Sequence, residues 1–330
     1  MDKNRMGGFV DFTNVADAMG NGYIHVPVFE KEILNLTKKR GLMLQRIQTR
    51  EATGQPTRYF EQTARQATAA FRNPTSLTST DGGPTRVEKS AFIKAITSSI
   101  AFGHFNLEVN QQQGQYTQLK ADDLNDMVLD VLTLQDAKLW TGAATDLTTN
   151  TNLEYVGLLN QITQTGTIGS TVKITTAIRS EVARLAARTT YDVRPSVIVV
   201  NPMTLDLIEQ EEEADSNTRK IYEVEAIPGT KVQGIMTCMG ILPIIADPFL
   251  PLVEVAASGD NPATTTHRIA ILSENLITRF YVGSPNVRVF EFGYNDYTLA
   301  KKYMALQYDT IVAKGAGYAH TILTKTVTHA

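Results

Sequence analysis

Three groups of residues in this 330-residue chain have types and spacing that chemistry could use. Gly166-Thr167-Ile168-Gly169-Ser170-Thr171 carries the glycines of a phosphate loop, but it lacks the Gly-Lys-Ser/Thr ending that sets an ammonium beside the phosphates. A turn between elements accounts for it. The acidic run Glu209, Glu211, Glu212, Glu213 and Asp215 could hold a hard cation only if its oxygens converged from one loop. Placed at a helix end, it is expected to face water. The histidines His25, His104, His267, His320 and His329 have no metal-ligand spacing, and none lies near Cys238 in sequence. No catalytic, cofactor-binding or metal-binding residue is therefore assigned, no cofactor is expected, and the chain reads as no enzyme. A two-domain α/β enzyme would need a convergent polar set in a pocket, and the sequence offers none.

Bulk properties narrow the classes further. A formal net charge of -3, from 31 Lys and Arg against 34 Asp and Glu, leaves no surplus of positive charge for a phosphate backbone, which disfavours direct nucleic-acid binding. One cysteine, Cys238, allows no intrachain disulfide and no thiolate cluster, as expected of a protein made in a reducing cytoplasm. The first residues lack the unbroken apolar stretch of a signal peptide. The most apolar window, 238–257, is broken by Pro243, Asp247, Pro248, Pro251 and Glu254, so it reads as short buried strands and turns, with no membrane partner.

The elements that would position any function can be read from periodicity. Residues 1–50 read as an arm, with glycine-bearing patches and a short helical stretch carrying Phe29, Ile33, Leu34 and Leu36. A long amphipathic helix over about 119–141 follows from Leu124, Val128, Val131, Leu132, Gln135 and Leu139, with Gly142 as a left-handed C-terminal cap. A second helix has Ile174, Ile178, Val182 and Leu185 on one face. The wholly apolar run 197–200 reads as a strand covered on both faces. Asn201-Pro202 then starts a helix, Asn as N-cap and Pro at the first helical position, with Leu205 and Ile208 buried. From 267 onward the pattern is β-like, and in the last run Tyr303, Ala305 and Gln307 share one face.

Between the arm and the long helix lies a stretch, 55–102, of different composition. Arg58-Tyr59-Phe60-Glu61 opens a polar outgoing run, Asn73-Pro74 and Asp81-Gly82-Gly83-Pro84 punctuate it, and Arg86-Val87-Glu88-Lys89 starts a return. It reads as a long hairpin or as a surface loop, and its outgoing leg lacks the alternation of a strand backed by a core. The family resemblance set out next implies that other copies of the chain supply its packing partners. Arg58, Tyr59, Phe60, Phe71, Phe92 and Ile93 are then the candidate intersubunit contacts, because large apolar and Arg side chains anchor interfaces.

This order of elements resembles the major capsid proteins of tailed bacteriophages with the Hong Kong 97-type fold. The resemblance rests on the arm, the extended loop, the long helix, and the stretch Gly157-Leu158-Leu159-Asn160 after it. It also rests on 197–202, on Gly240-Ile241-Leu242-Pro243-Ile244-Ile245 followed by Pro248, and on the late strand 305–312, where Gln307 stands at a place where the family often has arginine. It implies an α+β chain: arm 1–50, extended loop 51–104, peripheral domain 105–170 with spine helix 119–141, axial domain 171–265, and return strands 266–330.

The resemblance further implies a structural subunit of a virion capsid assembled in the host cytoplasm. Hexamers and pentamers of this homo-oligomer would close into an icosahedral shell around double-stranded DNA held without sequence-specific contacts. Scaffolding, portal and decoration proteins are the implied partners. An encapsulin-like cellular compartment enclosing enzyme cargo is the alternative on the same fold. Since the sequence reaches arm-like residues at once, a separately encoded scaffold, or none, is expected. Some relatives cross-link through a loop lysine; Lys89 and Lys94 lie on the returning leg here, but no motif marks a partner asparagine or base, and ordinary surface or intersubunit lysines are expected.

Overall fold

The computed structural model describes residues 40–75, 81–105, 108, 116–144, 151–214, 221–227, 230–258, 262–294 and 299–328. The expected arm up to residue 39, with its helical stretch, lies outside them, as do Asp215, His25 and His329.

The described elements are α1 (Met43–Arg46), β1 (Gln48–Glu51), β2 (Thr57–Ala64), β3 (Thr85–Ala91), β4 (Lys94–Gly103), α2 (Tyr116–Thr141), α3 (Leu158–Gln161), β5 (Thr165–Ile168) and α4 (Ile174–Ala186). There follow β6 (Val197–Val200), α5 (Pro202–Glu213), β7 (Ile221–Ile227), β8 (Thr230–Thr237), β9 (Gly240–Ala246), β10 (Val253–Val255), β11 (Thr264–Leu272), β12 (Ile277–Tyr281), β13 (Arg288–Tyr294), β14 (Ala300–Ala313) and β15 (Thr321–Thr328).

Two sheets carry the molecule. One runs β1-β12-β14-β13, with β4 on the free length of β14; the other runs β5-β15-β11-β6-β9-β8-β7, with β10 on β11. The second is mixed: β6 pairs parallel with β9 and β5 with β15, while β11 is antiparallel to both of its main neighbours. The α+β class expected from the sequence is the class observed.

The α4 stripe lands as periodicity dictates: Ile174, Ile178, Val182 and Leu185 are fully buried against one face of the larger sheet, joined by Ile208 of α5. Each such side chain contributes about 1.5–3 kcal/mol through burial. Strand β6 is solvent-free at all four residues, because its other face meets the cluster of Trp140, Leu158 and Leu250. Asn201 caps α5, its Oδ1 accepting from the Met203 N–H at 3.1 Å, while its Nδ2 donates to the Leu250 carbonyl at 2.9 Å.

Helix α2 is longer than expected and presents a shifted face. Met127, Val131, Leu139 and Trp140 are buried, whereas Leu124, Val128 and Leu132 are only half-buried. Gln135 is buried, as its place on the expected stripe requires, and the shift brings Asp136 inward beside it, both essentially solvent-free. Gly142 is no left-handed cap. The described glycines with positive φ are Gly240, Gly283 and Gly315, and Gly142 is needed for a different reason: a Cβ there would lie 2.2 Å from the Tyr155 carbonyl oxygen. Gly157 is its counterpart, since a Cβ on it would lie 2.4 Å from the Trp140 carbonyl. The two glycines let the end of α2 and the entry to α3 cross backbone to backbone.

Two further expectations are corrected. Gly166 and Thr167 do not form a turn but belong to β5, hydrogen-bonded alongside β15, and only 169–172 turns. The acidic end of α5 does not face water throughout. Glu211 accepts the Ile174 N–H at 2.8 Å and pairs with buried Lys325, and Glu212 accepts from the Thr175 hydroxyl. The N-terminus of α4 has unpaired N–H groups and the positive end of a helix dipole, and its own cap residue Lys173 supplies no side-chain acceptor, so these carboxylates fill the place.

Candidate assembly surface

Between β1 and β4 in the chain, β2 and β3 form a separate two-stranded sheet. Its register pairs Tyr59 with Lys89 and Phe60 with Glu88. The outgoing strand does alternate, against expectation: Thr57, Tyr59 and Glu61 turn inward and are buried, while Arg58, Phe60 and Gln62 face outward. Composition hid this because two of the three inward residues are polar.

The six sequence-derived contact residues separate into two sets. Tyr59 is only 8% exposed and packs with Ala91, Phe280 and Val312, with the Lys314 ammonium 5.7 Å from its ring centroid. Burial lowers the pKa of that ammonium, and nearby Arg50 adds to the effect. Ile93 is buried too, its backbone N–H and carbonyl both taken by the side chain of Gln55 at 2.9 and 3.1 Å. Phe92 is half-buried, near the Lys94 ammonium. The others point away from the protomer: Phe60 is 71% exposed, Phe71 is fully exposed, and Arg58 pairs with Glu88 at 3.2 Å on the outer face.

Beyond Ile93 the returning leg leaves the hairpin and becomes β4, which pairs along β14 from Asp309 to Ala300. Periodicity did not single out Val87 on β3, or Val289, Phe290, Phe292 and Tyr294 on the edge strand β13, which are exposed as well. The pattern of β13, aromatic residues at every second position, was available as a signal.

Among the described residues no group of three or more His, Cys, Asp or Glu side chains is placed to hold a metal ion. His267 bonds the Thr204 hydroxyl at 3.0 Å, and His104 lies against the Tyr294 ring. Lys89 pairs with Glu61 of its own chain, and the Lys94 ammonium donates to the Asn152 carbonyl at 2.6 Å. Buried ionic groups serve packing between α2 and the smaller sheet: Asp309 accepts from Arg279 Nε at 2.9 Å and from Gln135. Asp136 accepts from Arg40 Nε and from the Gly41 N–H, each at 2.9 Å. Burial raises the pKa of Asp309, with Arg279 and Gln135 acting against it. Among the described residues, no helix is long and apolar enough to cross a membrane.

No protein-family model matches the sequence, and no curated protein matches it. Solved structures do. The chain superposes on a structure of Gordonia phage Cozz with a TM-score of 0.60 at 12% identity, covering 98% of both chains. It superposes on the capsid of an empty GTA particle with a TM-score of 0.60 at 11% identity, covering 91% of this chain and 95% of that one. The SrpI encapsulin of Synechococcus elongatus PCC 7942 gives a TM-score of 0.55 at 12% identity, covering 96% and 95%. The chain therefore has the Hong Kong 97-type capsid fold.

Proposed function

We propose that this chain is the major capsid protein of a tailed bacteriophage, a structural subunit and not an enzyme. Copies of it assemble in the host cytoplasm into hexamers and pentamers that close as an icosahedral virion shell around double-stranded DNA. Scaffolding and portal proteins are its assembly partners, with a decoration protein a further candidate. One observation carries the reading: the outer face of β2–β3 presents Phe60, 71% exposed, in a rim of Arg58, Gln62, Arg86 and Glu88. An aromatic residue ringed by charged and polar groups is how contact sites concentrate binding energy. Phe280 and Val312 of the same chain cover the inner face of the hairpin at Tyr59, which leaves the outer face for a neighbouring copy. The near-neutral charge suits a container that holds nucleic acid without gripping it.

The test is electron microscopy of the purified protein together with Phe60→Ala. Closed particles are expected from the wild type and few from the variant. Because an exposed side chain is removed, protomer stability should change by no more than about 0.5 kcal/mol. Equal loss of assembly and of folding would refute the assignment of Phe60. The likeness to the SrpI encapsulin supports a second reading, a cellular compartment enclosing a protein cargo. Particles purified from the native source decide between them: packaged double-stranded DNA supports the capsid, and an enclosed enzyme supports the compartment.

A further inference from the structure

A convergence of polar groups outside that contact face lies under the root of the hairpin. Glu61 turns inward from β2, and its side chain is 8% exposed. Its Oε1 accepts the Gly315 N–H at 2.6 Å, and its Oε2 pairs with the Lys89 ammonium on β3. Gly315 has φ +70° in the turn at 314–319, which closes on itself through the Tyr318 and Ala319 N–H groups donating to the Gly315 carbonyl. Two residues further along β2, the Thr63 carbonyl accepts from the Tyr191 hydroxyl at 2.6 Å. The Tyr191 ring stacks on Tyr318, centroids 4.0 Å apart and planes within 13°.

Apolar packing gives the root adhesion but little direction. A buried carboxylate adds little stability compared with a well-packed apolar residue, yet it demands fixed donors and so fixes geometry. Phe60 and Glu61 are adjacent on one strand, where successive side chains take opposite faces. The rotation that seats Glu61 on Gly315 is therefore the rotation that turns Phe60 outward.

We infer that Glu61 is a positioning residue: it clamps the hairpin to the turn at 314–319 and, with Tyr191, sets the direction in which Phe60 is offered to the next copy. The role in assembly rests on the shell reading above; the clamp does not. Hydrogen exchange on unassembled protomers separates the two. Losing a charge-assisted bond of this kind should speed exchange about tenfold or more in 57–64 and 85–91 of Glu61→Ala, with 116–141 unchanged. Glu61→Gln keeps an acceptor for Gly315 and should fall between that variant and wild type, which covers the case where the alanine variant fails to fold. Tyr191→Phe keeps the ring stack and should show a smaller effect confined to 57–64.

Assembly followed by light scattering should slow in the order of hairpin exchange. Unchanged hairpin exchange in Glu61→Gln and Glu61→Ala would overturn the clamp, and so would equal acceleration in the hairpin and the 116–141 helix. Normal assembly by Phe60→Ala together with fast hairpin exchange in Glu61→Ala would leave the clamp standing and overturn the shell-contact reading.

Discussion

Acid should weaken this fold through one histidine, and the size of the effect follows from its surroundings. His320 is fully buried just beyond the turn that receives Glu61. Its Nδ1 accepts the Ser273 N–H at 3.2 Å, so the ring proton is on Nε2, which donates to the Lys314 carbonyl at 3.0 Å. Burial pushes its pKa down to about 4, with the Lys314 carbonyl and the Glu61 carboxylate acting weakly the other way. In the unfolded chain the value is about 6.5. The folded value is the depressed one, so the contribution is intact above about pH 6.5 and is lost as pH falls towards 4, where the unfolded chain takes up a proton that the folded chain refuses. At about 1.4 kcal/mol per pH unit the full loss is about 3 kcal/mol, of which about 2 kcal/mol falls between pH 7 and pH 5. Buried Asp247 and Asp309, whose pKa values burial raises, oppose the trend, so the quantity to measure is the difference between wild type and His320→Gln. Urea unfolding of protomers, followed by the emission of the single tryptophan, Trp140, gives that difference. The wild-type advantage should shrink by about 2 kcal/mol from pH 7 to pH 5. Parallel pH profiles for the two proteins would refute the claim that His320 is held neutral.

Two other substitutions probe the body of the fold. Gly142→Ala sets a methyl group on the Tyr155 carbonyl, backbone against backbone, and should cost about 4 kcal/mol or more in thermal unfolding; Gly54→Ala, with no neighbour nearer than 3.9 Å, should cost far less. Asp309→Asn leaves the Arg279 guanidinium buried without a countercharge and should cost about 3–5 kcal/mol by urea titration, and Arg279→Met combined with Asp309→Leu should recover most of it.

What the sequence disclosed and what it hid divide along a physical line. Elements with regular apolar spacing were legible: the α4 face, the buried β6 run and the Asn201-Pro202 helix start all follow from local periodicity and capping chemistry. Elements whose buried face is polar were not. Asp136 lies off the expected stripe of α2, yet it turns inward because Arg40 and Gly41, far off in sequence, meet it there. Glu61 was hidden in the same way, since its acceptor role depends on Gly315, 254 residues away. The late strand shows the effect most plainly. The Gln307 amide donates to the Ser284 and Pro285 carbonyls and does not reach the carboxylate two residues on. The cation for Asp309 comes instead from Arg279, diagonal to it across the β12–β14 pair, where Arg279 faces Ile311 and Asp309 faces Tyr281. A carboxylate buried beneath a helix needs a positive partner in reach, but it does not fix which strand supplies it.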